Sequence, residues 1–406
     1  MSKIDELIKK LCPNGVKYIK LNELLDYIQP TKYIVQNTKY KEEYDIPVLT
    51  AGQTFILGYT NEKQGVYNAN KKNPVIIFDD FTASKHWVDF KFKVKSSAMK
   101  ILINKTKNSF KYIFYCMQNI KYIPKEHARQ WIQTYSEFKI PIPPLAVQRE
   151  IVRVLDKFSE LEAELEAELE ERQQQYNYYS EKIFNEETNK IEIGRLLKDK
   201  GYIRGPFGSA LVKKDMVKNG VPVYEQQHVI YNHRDFRYYI TEEKAEKLNR
   251  FKVETNDLII SCSGTVGKVS VIKPTDNKGV INQALLILRV NMEKILPQYL
   301  KYYLESPIGY KSITANTNKS AQVNIANRNA IESIKIPLPS IPRQVKIIEI
   351  LNNFEKLVND ISEGLPAEIQ LRRKQYEYYR NKLLNFEELK WNGFKWSNRK
   401  NKEWFR

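Results

Sequence analysis

The stretch that decides the architecture is "KIPIPPLAVQREIVRVLDKF", Lys139 to Phe158, because the chain repeats it as "KIPLPSIPRQVKIIEILNNF", Lys335 to Phe354. The offset is 196 residues (335 − 139). Each copy opens on a proline cluster, Pro141, Pro143 and Pro144 in the first and Pro337, Pro339 and Pro342 in the second. Prolines interrupt a helix interior and push the preceding residue into extended backbone, so each cluster marks the end of a globular segment. A helical period follows. Ile151, Leu155, Phe158, Leu165, Leu169, Tyr176, Tyr179 and Ile183 recur at alternating three- and four-residue spacing or multiples of it. In the second copy Ile347, Leu351, Phe354, Val358, Ile361 and Leu365 hold one register, and Ile369, Tyr376, Tyr379 and Leu383 resume in another.

The ends of these helices also repeat. "YNYYSEKIFN" (Tyr176 to Asn185) returns as "YEYYRNKLLN" (Tyr376 to Asn385), now offset by 200 residues (376 − 176). Four extra residues are about one helical turn, and Gly364-Leu365-Pro366 lies where this stutter falls. Each helix is expected to run for roughly 40 residues, or ~60 Å at ~1.5 Å per residue. A narrow apolar seam does not hold a lone helix together in water, so the two are expected to pair as an antiparallel coiled coil. Phe158, Leu161, Leu165, Leu169, Tyr176 and Tyr179, with Phe354, Ile361, Tyr376 and Tyr379, are the candidate spacer and partner-docking residues. "ELEAELEAELEE" (Glu160 to Glu171) is acidic throughout its polar positions. It reads as a solvated coiled-coil face, or as a spacer or partner-docking surface; in either case its charge repels phosphate.

The globular parts echo each other more faintly. "IPVLTAGQ" (Ile46 to Gln53) sits like "VPVYEQQH" (Val221 to His228), "NPVIIFDD" (Asn73 to Asp80) like "NDLIISCS" (Asn256 to Ser263), and "KYIFYCMQN" (Lys111 to Asn119) like "QYLKYYLES" (Gln298 to Ser306). Val75 to Phe78, Leu258 to Ile260, Met99 to Ile103 and Leu285 to Val290 are short apolar runs that read as buried strands. The expected fold class is therefore α/β in the mixed α+β sense: two globular domains joined by two long helices, with an internal pseudo-twofold repeat. The expected segments are residues 1–140, a first spacer helix at 141–188, a second domain at 189–336, a second spacer helix at 337–388, and a basic tryptophan-rich tail at 389–406.

The 406 residues carry a formal net charge of +18, which suggests a polyanionic partner. No apolar run approaches the ~18 residues of a membrane span, and the amino terminus has no signal-peptide core. Cys12, Cys116 and Cys262 form neither a disulfide framework nor a zinc motif. A cytoplasmic protein facing nucleic acid, without membrane contact, is the expectation.

Catalytic motifs are absent from the sequence. "SGTVGKVS" (Ser263 to Ser270) has too few residues between its glycines for a phosphate loop. No dinucleotide fingerprint, amino-methyltransferase motif or metal-spaced histidine pair occurs. Asp79, Asp80, Asp89 and Lys91 are the loosest possible nuclease constellation. The plainer reading is that Asp79 and Asp80 follow a buried strand and orient the next loop. Polar, basic and aromatic loop residues carry more information, because Gln and Asn match adenine edges, Arg and Lys match guanine, and Lys, Ser and Thr suit phosphates. In the first module the candidate DNA-binding residues are Thr50, Gln53, Thr54, Tyr59, Lys85, Trp87, Lys95, Ser96, Ser97, Arg129, Gln130 and Trp131. In the second they are Lys213, Lys214, Gln226, Gln227, Arg234, Arg237, Ser263, Thr265, Lys268, Asn282, Gln283, Lys319, Gln322 and Asn324. Taken singly, each is better explained by an ordinary surface role; taken together with the net charge of +18, they favour DNA binding.

The stretches "LCPNGVKYIKLNEL", "IPVLTAGQTFILGYTNE", "NPVIIFDDFTASKHWVDFKFKVKSSAMKIL", "RGPFGSALVKKD", "DLIISCSGTVGKV", "KIPIPPLAVQREIVRVLDKF" and "EGLPAEIQLRRKQYEYYRNKLLNF" together resemble the specificity subunits of type I restriction–modification systems. The resemblance spans the chain to about Asn385. It implies two target-recognition domains, each reading half of a bipartite double-stranded DNA site, and a coiled coil that sets the gap. It implies a chain without catalysis or bound cofactor of its own. Two modification subunits would supply S-adenosylmethionine and adenine methylation, and restriction subunits would supply ATP-driven translocation and Mg-dependent cleavage. The alternative is a specificity subunit from a related system whose methyltransferase and nuclease share one polypeptide. The tail "KWNGFKWSNRKNKEWFR" lies beyond the repeat and is read either as the start of a further module or as a contacting tail.

Overall fold

The structure, a computed structural model, describes residues 3–50, 54–124, 126, 128–315, 327–359 and 364–389. The chain divides into two compact units, one built from Met1–Glu164 with the segment from Gln370 onward, the other from Leu165–Ile369. Each unit thus combines one module with segments of both spacer regions, whereas the sequence reading set modules and helices apart.

The first module runs through α1 (Lys3–Leu11), β1 (Lys17–Lys20), α2 (Leu21–Leu24), β2 (Leu25–Ile28), β3 (Ile46–Leu49), β4 (Ile56–Thr60), β5 (Val75–Asp79), β6 (Lys85–Val88), β7 (Lys93–Val94), β8 (Met99–Asn104), α3 (Phe110–Asn119) and β9 (Lys139–Ile142), and leads into the 42-residue α4 (Leu145–Glu186). The second runs through β10 (Lys190–Glu192), β11 (Leu197–Arg204), β12 (Val221–Tyr224), α5 (Gln226–Ile230), β13 (Tyr239–Ile240), α6 (Glu242–Lys247), β14 (Leu258–Ser261), β15 (Val269–Val271), β16 (Val280–Ile281), β17 (Leu285–Val290), α7 (Pro297–Glu305), α8 (Pro307–Thr314), α9 (Arg328–Glu332) and β18 (Lys335–Pro337), then α10 (Ile341–Asn359) and α11 (Leu365–Leu383).

Among the described residues the two modules share one strand plan. The first holds an antiparallel sheet in the order β2-β8-β5-β6, a mixed sheet β4-β3-β7 and a pair β1-β9. The second holds β11-β17-β14-β15, β13-β12-β16 and β10-β18. Advancing every strand number by nine turns one into the other. Even the parallel pairing is kept, β3 with β7 and β12 with β16. Backbone bonds fix the residue register between modules. Asp80 N donates to Ala98 O as Cys262 N donates to Ala284 O, and Lys95 N donates to Leu49 O as Asn282 N donates to Tyr224 O. Ile76 pairs with Leu102 as Leu258 pairs with Leu288. Asp80 therefore matches Cys262, and Lys100 matches Leu286.

This register corrects the letter-for-letter reading of "NPVIIFDD" over "NDLIISCS" by one residue, since Ile76, not Val75, is the counterpart of Leu258. Core membership agrees: Ile76, Phe78 and Leu102 pack into the core that includes α3 and the start of α4. Leu258, Ile260 and Leu288 pack into the core that includes α7 and the start of α10. The opposite faces, Val75 and Ile77 or Ile259, line smaller second cores. Strands buried on both faces lose the polar alternation that would have shown the register in sequence.

The opening repeat is a joint. In the first copy the buried Gln148 accepts from Ser109 N at 2.9 Å and donates to Asn108 Oδ1 and to Pro143 O, while Tyr112 donates to Pro141 O at 3.0 Å. In the second the buried Gln344 accepts from Leu296 N at 2.8 Å and donates to Lys294 O and Pro339 O, and Tyr299 donates to Pro337 O at 3.0 Å. Each glutamine thus ties the first turn of a spacer helix to the start of the module's aromatic helix. Losing such a side chain strands buried backbone partners, a cost of about 1–3 kcal/mol each.

The second spacer segment is not one helix with a shifted register but two. Gly364 is non-helical, and its carbonyl accepts the N–H groups of Ala367 and Glu368 to start α11. Pro366 takes the second helical position, where its missing donor costs nothing. Pro342 likewise falls in the first turn of α10. Within the first unit Phe158 stacks on Tyr379 at 5.3 Å and lies 6.4 Å from Tyr376, and Arg373 pairs with Glu162 at 2.6 Å, so α4 and α11 run antiparallel there. Within the second unit Phe354 meets Tyr176 at 6.3 Å and Tyr179 at 6.0 Å. The same phenylalanine–tyrosine trio serves both units. Leu161, Leu165 and Leu169 are half-buried along α4, and Ile361 lies outside the described residues.

Candidate nucleic-acid interface

The four-stranded sheet of each module ends in loops that converge on one edge. In the first module these are the Asp79–Ser84 turn after β5, the Lys95–Ala98 loop before β8, and Gln29 after β2. In the second they are the Cys262–Lys268 loop after β14, the Asn282–Ala284 loop before β17, and the turn at Gly205 after β11. Gly205 marks the close approach: a Cβ there would meet Asn282 O at 2.0 Å. Gln226, at the start of α5, donates its side-chain amide to Ser263 O.

These loops bring several candidate residues together. In the second module Gln226, Ser263, Thr265, Lys268, Asn282 and Gln283 belong to this one cluster, with Thr265, Lys268 and Gln283 exposed. Asn282 Oδ1 accepts from Ala284 N at 3.0 Å and shapes its own loop. In the first module Lys95 is exposed with its ammonium 5.9 Å from the Tyr40 ring, Ser96 accepts from Ala98 N, and Ser97 O accepts from Gln29. Thr50 is half-buried and Thr54 exposed beside the same loop end, since Leu49 O bonds to Lys95 N.

Other candidates go elsewhere. Trp131 is 2% exposed and packs on Phe78 and Tyr135, so it is a core residue rather than a DNA contact. Gln130 is buried and bonds Tyr122 and the carbonyls of Ala128 and Glu126. Only Arg129 of that trio is exposed. Trp87 packs against Phe110 and Phe114, with the Lys111 ammonium 4.3 Å from its ring. Lys85 shares that inward face and sits 5.3 Å from the Tyr135 ring; burial, aided by the charge of Arg380, pushes its ammonium down to about 8. Tyr59 pairs with Pro47 at the far end of β3 and β4 from Thr50. Arg234 is spent inside the second module on His228 O, His233 O, Ser270 and Asp276, and Arg237 grips Glu225 with two bonds of 2.9 Å. Gln227 bonds Glu225, and Lys213 and Lys214 are exposed on a short turn. Gln53, Lys319, Gln322 and Asn324 lie outside the described residues, as does the tail from residue 390.

The acidic constellation resolves into loop structure. Asp79 accepts from Phe81 N and from Thr82 Oγ1 at 2.6 Å, closing the turn in which Ala83 adopts a φ of 58°. Asp80 is fully buried, accepts from Trp131 N, and faces the Lys100 ammonium at 3.5 Å. No group of three or more potential metal ligands occurs among the described residues.

Sequence reading missed two residues at the loop edge, Gln29 and Arg204. Gln29 follows, and Arg204 ends, the strand that pairs with the start of β8 or β17, and a proline comes one or two residues later, in "YIQP" and "YIRGP". That echo was the available signal. The Arg204 guanidinium is half-buried with one terminal nitrogen unbonded, 5.8 Å from the exposed Phe207 ring.

Comparison with known proteins agrees with this arrangement. The family model described as "Type I restriction modification DNA specificity domain" matches residues 13–171 and again 176–371. The EcoR124I/EcoR124II specificity subunit of Escherichia coli is 39% identical over 406 residues, covering 95% of this chain and 98% of that protein. Among solved structures, one from work on complex assembly and conformational transition of the type I restriction–modification system matches with a TM-score of 0.58 at 14% identity, covering 92% of this chain and 98% of that one. The S subunit from M. genitalium matches with a TM-score of 0.54 at 13% identity over 92% and 97%.

Proposed function

Because this chain belongs to the type I restriction–modification DNA specificity family, we propose that it is the non-catalytic subunit that reads a bipartite DNA target, one half per module. The carrying observation is the repeated strand plan with different side chains at the loop edge: one scaffold, presented twice, with two chemistries. Exposed Lys95 and half-buried Ser96 stand at that edge in one module, and exposed Thr265, Lys268 and Gln283 in the other. A net charge of +18 favours association with phosphates. The spacer helices set the gap between the half-sites, and the exposed acidic face of α4 keeps clear of DNA. Two modification subunits bring S-adenosylmethionine and methylate adenine; restriction subunits bring ATP and Mg. The family match favours this over a partner with fused methyltransferase and nuclease.

The test is sequencing of methylated genomic DNA from cells carrying this chain with its modification subunit. An asymmetric motif with a fixed gap is expected; an ungapped palindrome would overturn the assignment. Inserting one ELEA unit into α4 lengthens the helix by ~6 Å. Against ~3.4 Å per base pair, the gap then grows by one or two base pairs while both half-sites persist. Exchanging residues 1–140 for another member's first module changes one half-site only.

A further inference from the structure

The polar side chains at the loop edge of the first sheet form one connected chain. Lys100 Nζ donates to Gln29 Oε1 at 2.6 Å, and Gln29 Nε2 donates to Ser97 O at 3.3 Å. Lys100 also faces Asp80 Oδ2 at 3.5 Å and lies 4.9 Å from the Tyr27 ring. Asp80 in turn accepts from Trp131 N at 2.9 Å and from Gln130 N at 2.8 Å, and its own N–H reaches Ala98 O at 3.1 Å. Asp80 and Lys100 are 0% and 2% exposed.

The second module builds the same sheet without these charges, with Cys262 for Asp80, Leu286 for Lys100 and Arg204 for Gln29. The fold therefore does not require a buried ion pair here, and apolar replacements of such pairs are often neutral or stabilising. What differs is the loop. Between the matched backbone bonds the first module has Lys95–Ala98, one residue more than Asn282–Ala284. The carbonyl that Gln29 holds, on Ser97, lies within that longer loop.

We propose that Gln29, Asp80 and Lys100 are positioning residues that hold the Lys95–Ala98 loop in the shape that reads one half-site. This rests on the DNA-reading assignment above. Lys100 orients the Gln29 amide with its oxygen inward, so that the amide nitrogen points at Ser97 O. Asp80 pairs with Lys100 at 3.5 Å and its N–H fastens the loop's last residue, Ala98.

Gln29→Glu separates positioning from stability. The carboxylate still accepts from Lys100 but has no hydrogen to give Ser97 O. The exchange of residues 1–140 first identifies the half-site belonging to this module. The full chain carrying Gln29→Glu, with its modification subunit, is then read by sequencing of methylated DNA. Methylation of sites with a one-base change in that half should rise about tenfold relative to the cognate site, the scale of one base contact, with the other half and the thermal melt unchanged. Asp80→Cys with Lys100→Leu, the pair of the second module, should fold and relax the same half. Unchanged discrimination in both variants overturns the proposal, as does equal relaxation of both halves. A wild-type chain that yields no gapped motif removes the DNA-reading assignment itself, and the clamp with it.

Discussion

Both modules bury an acid–base pair between the same two strands, at opposite ends. In the first, Asp80 and Lys100 lie at the loop edge, 1% and 2% exposed by side chain. In the second, Asp257 precedes β14 and Arg289 sits near the end of β17, joined by two bonds of 2.8 and 2.9 Å. Arg289 also reaches Glu254 and Lys252 O, so this pair fastens the far end of the sheet. Elsewhere the first module repeatedly places lysine where the second is apolar: Lys85 matches Val269, and the buried Lys93, paired with Glu62 at 2.7 Å, matches Val280. One backbone plan tolerates either solution, and the position of the charges marks which part of each module needs holding.

The sharpest way to break this comparison is Lys100→Met. It leaves the Asp80 carboxylate buried and unpaired, which should cost about 3–5 kcal/mol in urea denaturation. The matched Leu286→Met should cost less than about 1.5 kcal/mol. Equal losses would show that the Asp80–Lys100 pair does not set the first module apart at this position. Arg289→Met should cost somewhat less than Lys100→Met, about 2–3 kcal/mol, because Arg289 is partly exposed to water. Burial already holds the Asp257 carboxyl above its usual range despite the adjacent guanidinium. Recognition of the second half-site should survive this change, because the pair lies away from the loops. Relaxed specificity in the methylation motif would end the distinction between the two ends.

The smallest effect concerns Lys85, whose pKa of about 8 lies below that of an unfolded lysine. Below pH 8 the side chain is charged in both states, so its burial penalty is fully present. Between pH 8 and the ordinary lysine range the folded chain releases the proton first, and stability recovers as pH rises. Lys85→Val, the residue of the second module, should therefore stabilise by about 1–2 kcal/mol at pH 7, after allowance for solvent screening. Thermal melts across pH 7 to 10 should show the advantage shrinking with pH.

The large elements were legible because their signals are local. Leu285 to Val290 reads as a strand and is β17, and Lys111 to Asn119 reads as a helix and is α3 but for its first residue. The proline clusters marked both joints. The break at Gly364 was visible as a change of register, yet a shift of one turn and a new helix leave the same pattern of apolar residues. The interface was legible only in part, for a physical reason. Trp131, Gln130, Trp87 and Arg234 are residue types that serve DNA and protein interiors alike, and only packing shows that these four are occupied. Gln29 carries no charge, and only the echo of "YIQP" in "YIRGP" singles it out.

The joint at Gln148 has a consequence for how such genes change. Its twin at Gln344 uses the same proline carbonyl, the same tyrosine hydroxyl and the same helix start. At the loop edges, by contrast, Gln29, Asp80 and Lys100 of one module stand where the other has Arg204, Cys262 and Leu286. A chain with two interchangeable couplings allows the segment between them to be traded without redesigning either side, since no bond of the coupling depends on the loop edge. Crossover within the stretch encoding "KIPIPP" or "KIPLPS" would then yield a protein that folds at once and reads a new sequence, a change of address in a single event.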